Sequence, residues 1–170
     1  MNTRMYIDRR ESGVTTGPMI TGAGHERVEE FVADATAQGA RVVCGGGRVD
    51  RAGFFLQPTL LYNLHDDMRA MREEVFGPVM LVRDVESLQD ALEQANNTPY
   101  GLAGYVLGRD MSALIRATEG LRFGIVGVND MTPATAEGPF GGMKQSGFGR
   151  ENSQEGLAEY LETKFVSIGI

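Results

Sequence analysis

The chain is 170 residues long, enough for one domain with a real core, and its 42% hydrophobic and 23% charged content is ordinary for a globular protein. A net charge of −7, from 16 Lys and Arg against 23 Asp and Glu, with no basic patch, argues against a nucleic-acid partner. No apolar run reaches the length of a membrane span, no secretory h-region is visible, and one cysteine excludes an intramolecular disulfide, so no membrane partner and a cytoplasmic setting are expected.

The first predicted element is a helix over His25 to Gln38. Val28, Phe31, Val32 and Ala35 recur at i, i+3, i+4 and i+7, one apolar face, and Gly39 is a natural stop. The Thr21-Gly22-Ala23-Gly24 cluster before it lacks the third glycine of a dinucleotide fingerprint and reads as a helix-entry turn. Arg41 to Cys44 is a short β-branched run ending in Gly45, Gly46 and Gly47, a turn rather than a phosphate loop. Cys44 with only His25 and His65 cannot build a thiolate/imidazole zinc site, and no metal is expected.

Phe54 to Leu61 and Pro78 to Val82 read as further strands, with EEVFGPV (Glu73 to Val79) between them. On composition alone, two adjacent carboxylates before an aromatic and a Gly-Pro pair read as a solvated turn. Leu88, Ala91, Leu92 and Ala95 repeat the helical spacing, Leu102 to Leu107 is a strand, and Asp110 caps a helix with Met111, Leu114, Ile115 and Leu121 expected inward. Gly124 to Val128 is β-prone. This alternation predicts an α/β fold, an open, mostly parallel sheet with flanking helices. After Asn129 comes a long loop to Arg150, then a short helix around Leu157, Tyr160 and Leu161, and Thr163 to Ile168 as a terminal strand.

That long loop ends in PFGGMKQSGFGRE, Pro139 to Glu151, with glycine at 141, 142, 147 and 149. Glycine at this density marks positive φ or close backbone approach, and Phe140, Met143 and Phe148 make the stretch too apolar for a solvated tether. Lys144, Ser146 and Arg150 are expected to hold the loop in shape, through hydrogen bonds to backbone carbonyls and a pairing with a carboxylate such as Glu151.

The block resembles the C-terminal signature of the aldehyde dehydrogenase superfamily, Pro-Phe-Gly-Gly-x-Lys-x-Ser-Gly-x-Gly. The resemblance runs in register with EEVFGPV and with GIVGVN, Gly124 to Asn129. It implies that residues 13–161 are a partial aldehyde dehydrogenase catalytic domain of that α/β type. Residues 162–170 would then be a C-terminal oligomerisation strand, and residues 1–12 an unassigned N-terminal extension. In this superfamily the second Glu of the EEVFGPV block accepts hydrogen bonds from the nicotinamide ribose and the aromatic contacts the nicotinamide ring. The resemblance therefore places Glu74 and Phe76 at an NAD or NADP cofactor, with Glu73 as the fallback if the register slips by one.

The loop NDMTPATAEGPF, Asn129 to Phe140, falls where the family shapes its aldehyde pocket, so the resemblance makes Phe140 and Thr135 substrate-binding residues. Thr135 stands where succinate-semialdehyde dehydrogenases place a Ser hydroxyl near the substrate's distal carboxylate. The tail EGLAEYLETKFV resembles that group too, whereas Pro133, Gly138 and Asn152 depart from its commonest pattern. The family's nucleophilic Cys sits in a Gly-Gln-x-Cys loop and its general base in a Leu-Gly-Gly context; neither motif occurs here, and Cys44 has neither context. No catalytic residue is assigned. The chain thus resembles roughly the last third of an enzyme that oxidises a small, semialdehyde-like aldehyde through a Cys thiohemiacetal, and it is expected to be inactive alone. The expected partners are the aldehyde and either further copies of the chain or full-length subunits joined through the terminal strand. Two other readings are a non-catalytic truncated module that docks onto full-length subunits and a small ligand-binding domain using the Glu74–Phe76 region.

Overall fold

The computed structural model describes residues 16–170, and the extension expected over residues 1–12 lies outside them. The chain divides after Asp84 into two units.

In the first unit, α1 (Gly22–Ala37) starts at Thr21, whose hydroxyl accepts from the Gly24 N–H at 3.1 Å, so the TGAG cluster is a helix entry as expected. It ends in a Schellman arrangement: the Gly39 N–H reaches the Thr36 carbonyl and the Ala40 N–H the Ala35 carbonyl, with Gly39 at φ +100°. β1 (Arg41–Cys44) pairs antiparallel with β2 (Thr59–Tyr62), which pairs parallel with β3 (Val79–Val82), giving the order β1-β2-β3. A one-turn helix, α2 (Arg69–Arg72), lies between β2 and β3; four residues carry too little periodicity to be legible in sequence. The core joins Val32 and Ala35 of α1 to Ala40, Leu61, Leu64 and Met68, the side chains of Leu61 and Met68 being fully enclosed.

In the second unit, α3 (Leu88–Asn96) is capped by the Ser87 hydroxyl, and β4 (Ala103–Val106) pairs parallel with β5 (Ile125–Val128) across α4 (Met111–Gly120). Asp110 caps α4, accepting from the Ser112 N–H at 2.9 Å. Leu114 and Ala117 are the buried face of α4, whereas Met111 and Ile115 are exposed, contrary to the inward set expected for them. Within this unit a two-stranded sheet covers only one narrow stripe of a ten-residue helix. A 3-10 turn (Lys144–Ser146) and α5 (Ser153–Ala158) follow.

The α/β architecture with parallel strand pairs and flanking helices is therefore as expected. Residues 161–170 carry no secondary structure and are exposed, so the expected terminal strand is not seen within the single chain. A strand requires a hydrogen-bonded neighbour, and no strand among the described residues pairs with Thr163–Ile168. No helix among the described residues is long and apolar enough to cross a membrane.

Candidate functional site

Glu73 and Glu74 follow α2 on the chain that turns toward β3. Their environments differ sharply. Glu73 receives Arg69 Nε on one oxygen at 2.8 Å and Arg27 Nη2 on the other at 2.9 Å, and these two guanidinium groups, Arg69 first, hold its carboxyl below the usual carboxylate range. Both arginines also stack on the buried Phe31 ring, at 4.8 Å for Arg27 and 4.5 Å for Arg69, so Glu73 is locked into the packing of α1 against α2. Glu74 is exposed and has no hydrogen bond or ion pair among the described residues. Phe76, two residues on, is 78% exposed.

The turn beneath them is rigid for a packing reason. A Cβ on Gly77 would lie 2.5 Å from Val28 Cγ2, a buried β-branched side chain of α1. The backbone therefore lies directly on α1, and the Val79 N–H closes onto the Gly77 carbonyl at 2.8 Å. Phe76 is displayed outward from an anchored turn.

Cys44 ends β1, half-buried, and lines an apolar hollow of about 390 Å³ with Pro58, Leu60, Val79 and Met80. No Lys, Arg or His lines it among the described residues. No group of three or more His, Cys, Asp or Glu that could hold a metal occurs among the described residues.

Thr135 and Phe140 lie in the second unit, on the loop between β5 and the 3-10 turn. Phe140 exchanges two backbone hydrogen bonds with Glu151, at 2.8 and 2.7 Å. The Thr135 hydroxyl accepts from the Gly138 N–H at 3.3 Å, and its carbonyl accepts from Asn152 Nδ2 at 3.2 Å. The glycine-rich stretch behind them is a tightly tied scaffold. Lys144 Nζ donates to the carbonyls of Asn96 and Thr98 at 3.1 and 3.2 Å, at the C-terminal end of α3, where a cation opposes the exposed carbonyls. Desolvation first, then the nearby Arg122, lowers its pKa. The Ser146 hydroxyl accepts from the Gly101 N–H at 3.0 Å.

Arg150 does not pair with Glu151 as expected. Its Nη1 donates to the Gly142 and Gly149 carbonyls, both at 2.8 Å, because the closed turn leaves those carbonyls without strand or helix partners. Nothing local in the sequence signals the Asn152 contact; only the departure of Asn152 from the group's commonest pattern marks the position.

Thr135 and Phe140 are thus brought together on one loop, and Glu74 and Phe76 on one turn, each pair within its own unit. The aldehyde dehydrogenase family matches residues 2–166. The chain belongs to the aldehyde dehydrogenase family.

It is 44% identical to the NADP(+) succinate-semialdehyde dehydrogenase of Escherichia coli (strain K12) over 169 residues, 99% of the chain and 35% of that relative. Against the mitochondrial succinate-semialdehyde dehydrogenase of Rattus norvegicus it is 46% identical, over 94% of the chain and 30% of that enzyme. Among solved structures, the betaine aldehyde dehydrogenase of Staphylococcus aureus in complex with NAD+ aligns with a TM-score of 0.86 at 41% identity, covering 91% of this chain and 31% of that one. The chain thus spans about a third of the length of the curated relatives it matches.

Proposed function

We propose that this chain supplies two parts of an aldehyde dehydrogenase site: a carboxylate and an aromatic that hold the nicotinamide riboside end of NAD or NADP, and one wall of the aldehyde pocket. The observation that carries the reading is the contrast between adjacent carboxylates. Glu73 has both oxygens taken by arginines, whereas Glu74 is open beside an exposed aromatic ring. An open carboxylate has two acceptor oxygens for two neighbouring sugar hydroxyls, and a displayed ring limits where a flat heteroaromatic can slide. Bound NAD or NADP would supply the hydride acceptor. Both cofactors appear among the relatives, NADP(+) in the Escherichia coli enzyme and NAD+ in the Staphylococcus aureus structure.

The substrate reading is a small semialdehyde, with succinate semialdehyde as the leading candidate, oxidised to the acid through a Cys thiohemiacetal. Phe140 would be an apolar wall and the Thr135 hydroxyl a donor toward a distal carboxylate. The similarity to two succinate-semialdehyde dehydrogenases supports this. Cys44, in its apolar hollow, does not suit the nucleophile's role, so the chain alone is not expected to turn over.

NMR titration with NAD+ and NADP+ tests the cofactor reading. Resonances of residues 74–77 are expected to move, to stop moving in Glu74→Gln, and to keep moving in Glu73→Gln. Movement that survives Glu74→Gln, or none in the wild type, would remove the cofactor role from this chain.

Residues 163–170 are proposed to join another subunit of the same family. The exposed Phe165, Val166 and Ile168 support a strand that forms only against a neighbour. Deleting 163–170 should abolish self-association and co-purification with a full-length relative while leaving the unfolding midpoint nearly unchanged. An identical elution volume with and without the segment counts against it.

A further inference from the structure

Asn152 is the N-cap of α5 yet makes no capping hydrogen bond, and its backbone lies at φ 60°, ψ 178°. That region is essentially glycine-only, and an asparagine there is held against its own preference. Asparagine at an N-cap ordinarily turns its side-chain oxygen onto the first turn of the helix. Here the side chain turns the other way, and Nδ2 donates to the Thr135 carbonyl at 3.2 Å. The next residue, Ser153, is also at positive φ, 52°, and its N–H donates to the Ala136 carbonyl at 3.1 Å. With the Phe140–Glu151 pair, Glu151 to Ser153 forms a ledge that holds the 135–140 loop at both ends. The ledge has no room to shift toward α5, since a Cβ on Gly156 would lie 2.7 Å from the Glu151 carbonyl carbon.

We propose that Asn152 is a positioning residue for substrate selection: it forgoes an unstrained backbone and a cap in order to fix the Thr135 peptide, and through it the direction of the Thr135 hydroxyl. The selection role rests on the pocket reading above; the clamp does not. Tying the Thr135 carbonyl to this ledge takes a donor, which an Asn side chain supplies and an ionised Asp of the same shape cannot. Glycine would adopt the backbone without strain and also lacks the donor.

The test uses the chain as it stands, with Asn152→Asp and Asn152→Gly. Loss of the clamp is expected to speed hydrogen exchange about tenfold in both variants at Gly138 and Ser153, the amides bonded to Thr135 Oγ1 and the Ala136 carbonyl, and to move the Gly138 amide proton upfield as its bond to Thr135 Oγ1 loosens. Exchange in α4 and β5 should be unchanged, and the Gly variant should unfold no earlier than wild type. Unchanged exchange and an unmoved Gly138 resonance in both variants would overturn the clamp, as would equal acceleration throughout the unit. Titration with succinate then separates the two readings. A succinate-induced shift at Thr135 that is lost in both variants supports the selection role. A clamp that responds to mutation while succinate leaves wild-type Thr135 unmoved overturns the selection role and the pocket reading together, leaving Asn152 as a loop clamp.

Discussion

At the scale of single residues, adjacent identical side chains have different fates because of what reaches them. Sequence showed Glu73 and Glu74 as an undifferentiated pair, and only the resemblance chose Glu74. The structure supplies a physical reason for the difference, since Arg27 and Arg69 arrive at Glu73 from α1 and α2, 46 and 4 residues away in the chain. The first of these partners is invisible to any local reading. Because the guanidinium groups depress the folded Glu73 pKa, the stability this carboxylate contributes is fully present above its unfolded pKa. It is lost as pH falls through the lower folded value. Glu73→Gln should therefore lower the urea midpoint at neutral pH, and the difference from wild type should close below about pH 4. Added salt should shrink it at neutral pH, because all three side chains are partly exposed to solvent. A difference that widens on acidification would contradict this assignment of charges.

At the scale of elements, most helices and strands were legible because their apolar spacing and caps agree. Thr21, Ser87 and Asp110 each bond the first turn of the helix they precede. What escaped was decided by contacts distant in sequence. The inward face of α4 is narrower than its apolar residues suggest, and Arg150 turned to bare carbonyls rather than to its neighbour Glu151. The glycine density of the loop was legible as close approach, and its partners were not. A Cβ on Gly124 would lie 1.9 Å from the Gly141 carbonyl oxygen, so the entry to β5 and the glycine loop touch backbone to backbone. Gly124→Ala should destabilise the chain by about 3 kcal/mol in urea unfolding, at the upper end of overpacking effects. Gly47, where an added Cβ meets nothing nearer than the Gln57 Oε1 at 3.9 Å, should change stability by less than about 0.5 kcal/mol as Ala. Equal effects at the two positions would contradict the packing described.

At the scale of the whole molecule, the chain belongs to the aldehyde dehydrogenase family and covers about a third of its relatives. The parts proposed for it are a cofactor grip, a pocket wall and a segment suited to another subunit; its one cysteine lines an apolar hollow whose described lining residues include no Lys, Arg or His. On the proposed function, this chain contributes to an aldehyde dehydrogenase site without housing the nucleophile. Formation of NADH or NADPH by the purified chain with succinate semialdehyde, followed by absorbance, tests it most directly. The expected result is no signal above buffer with either cofactor. Turnover proportional to chain concentration and abolished by Cys44→Ala would contradict it.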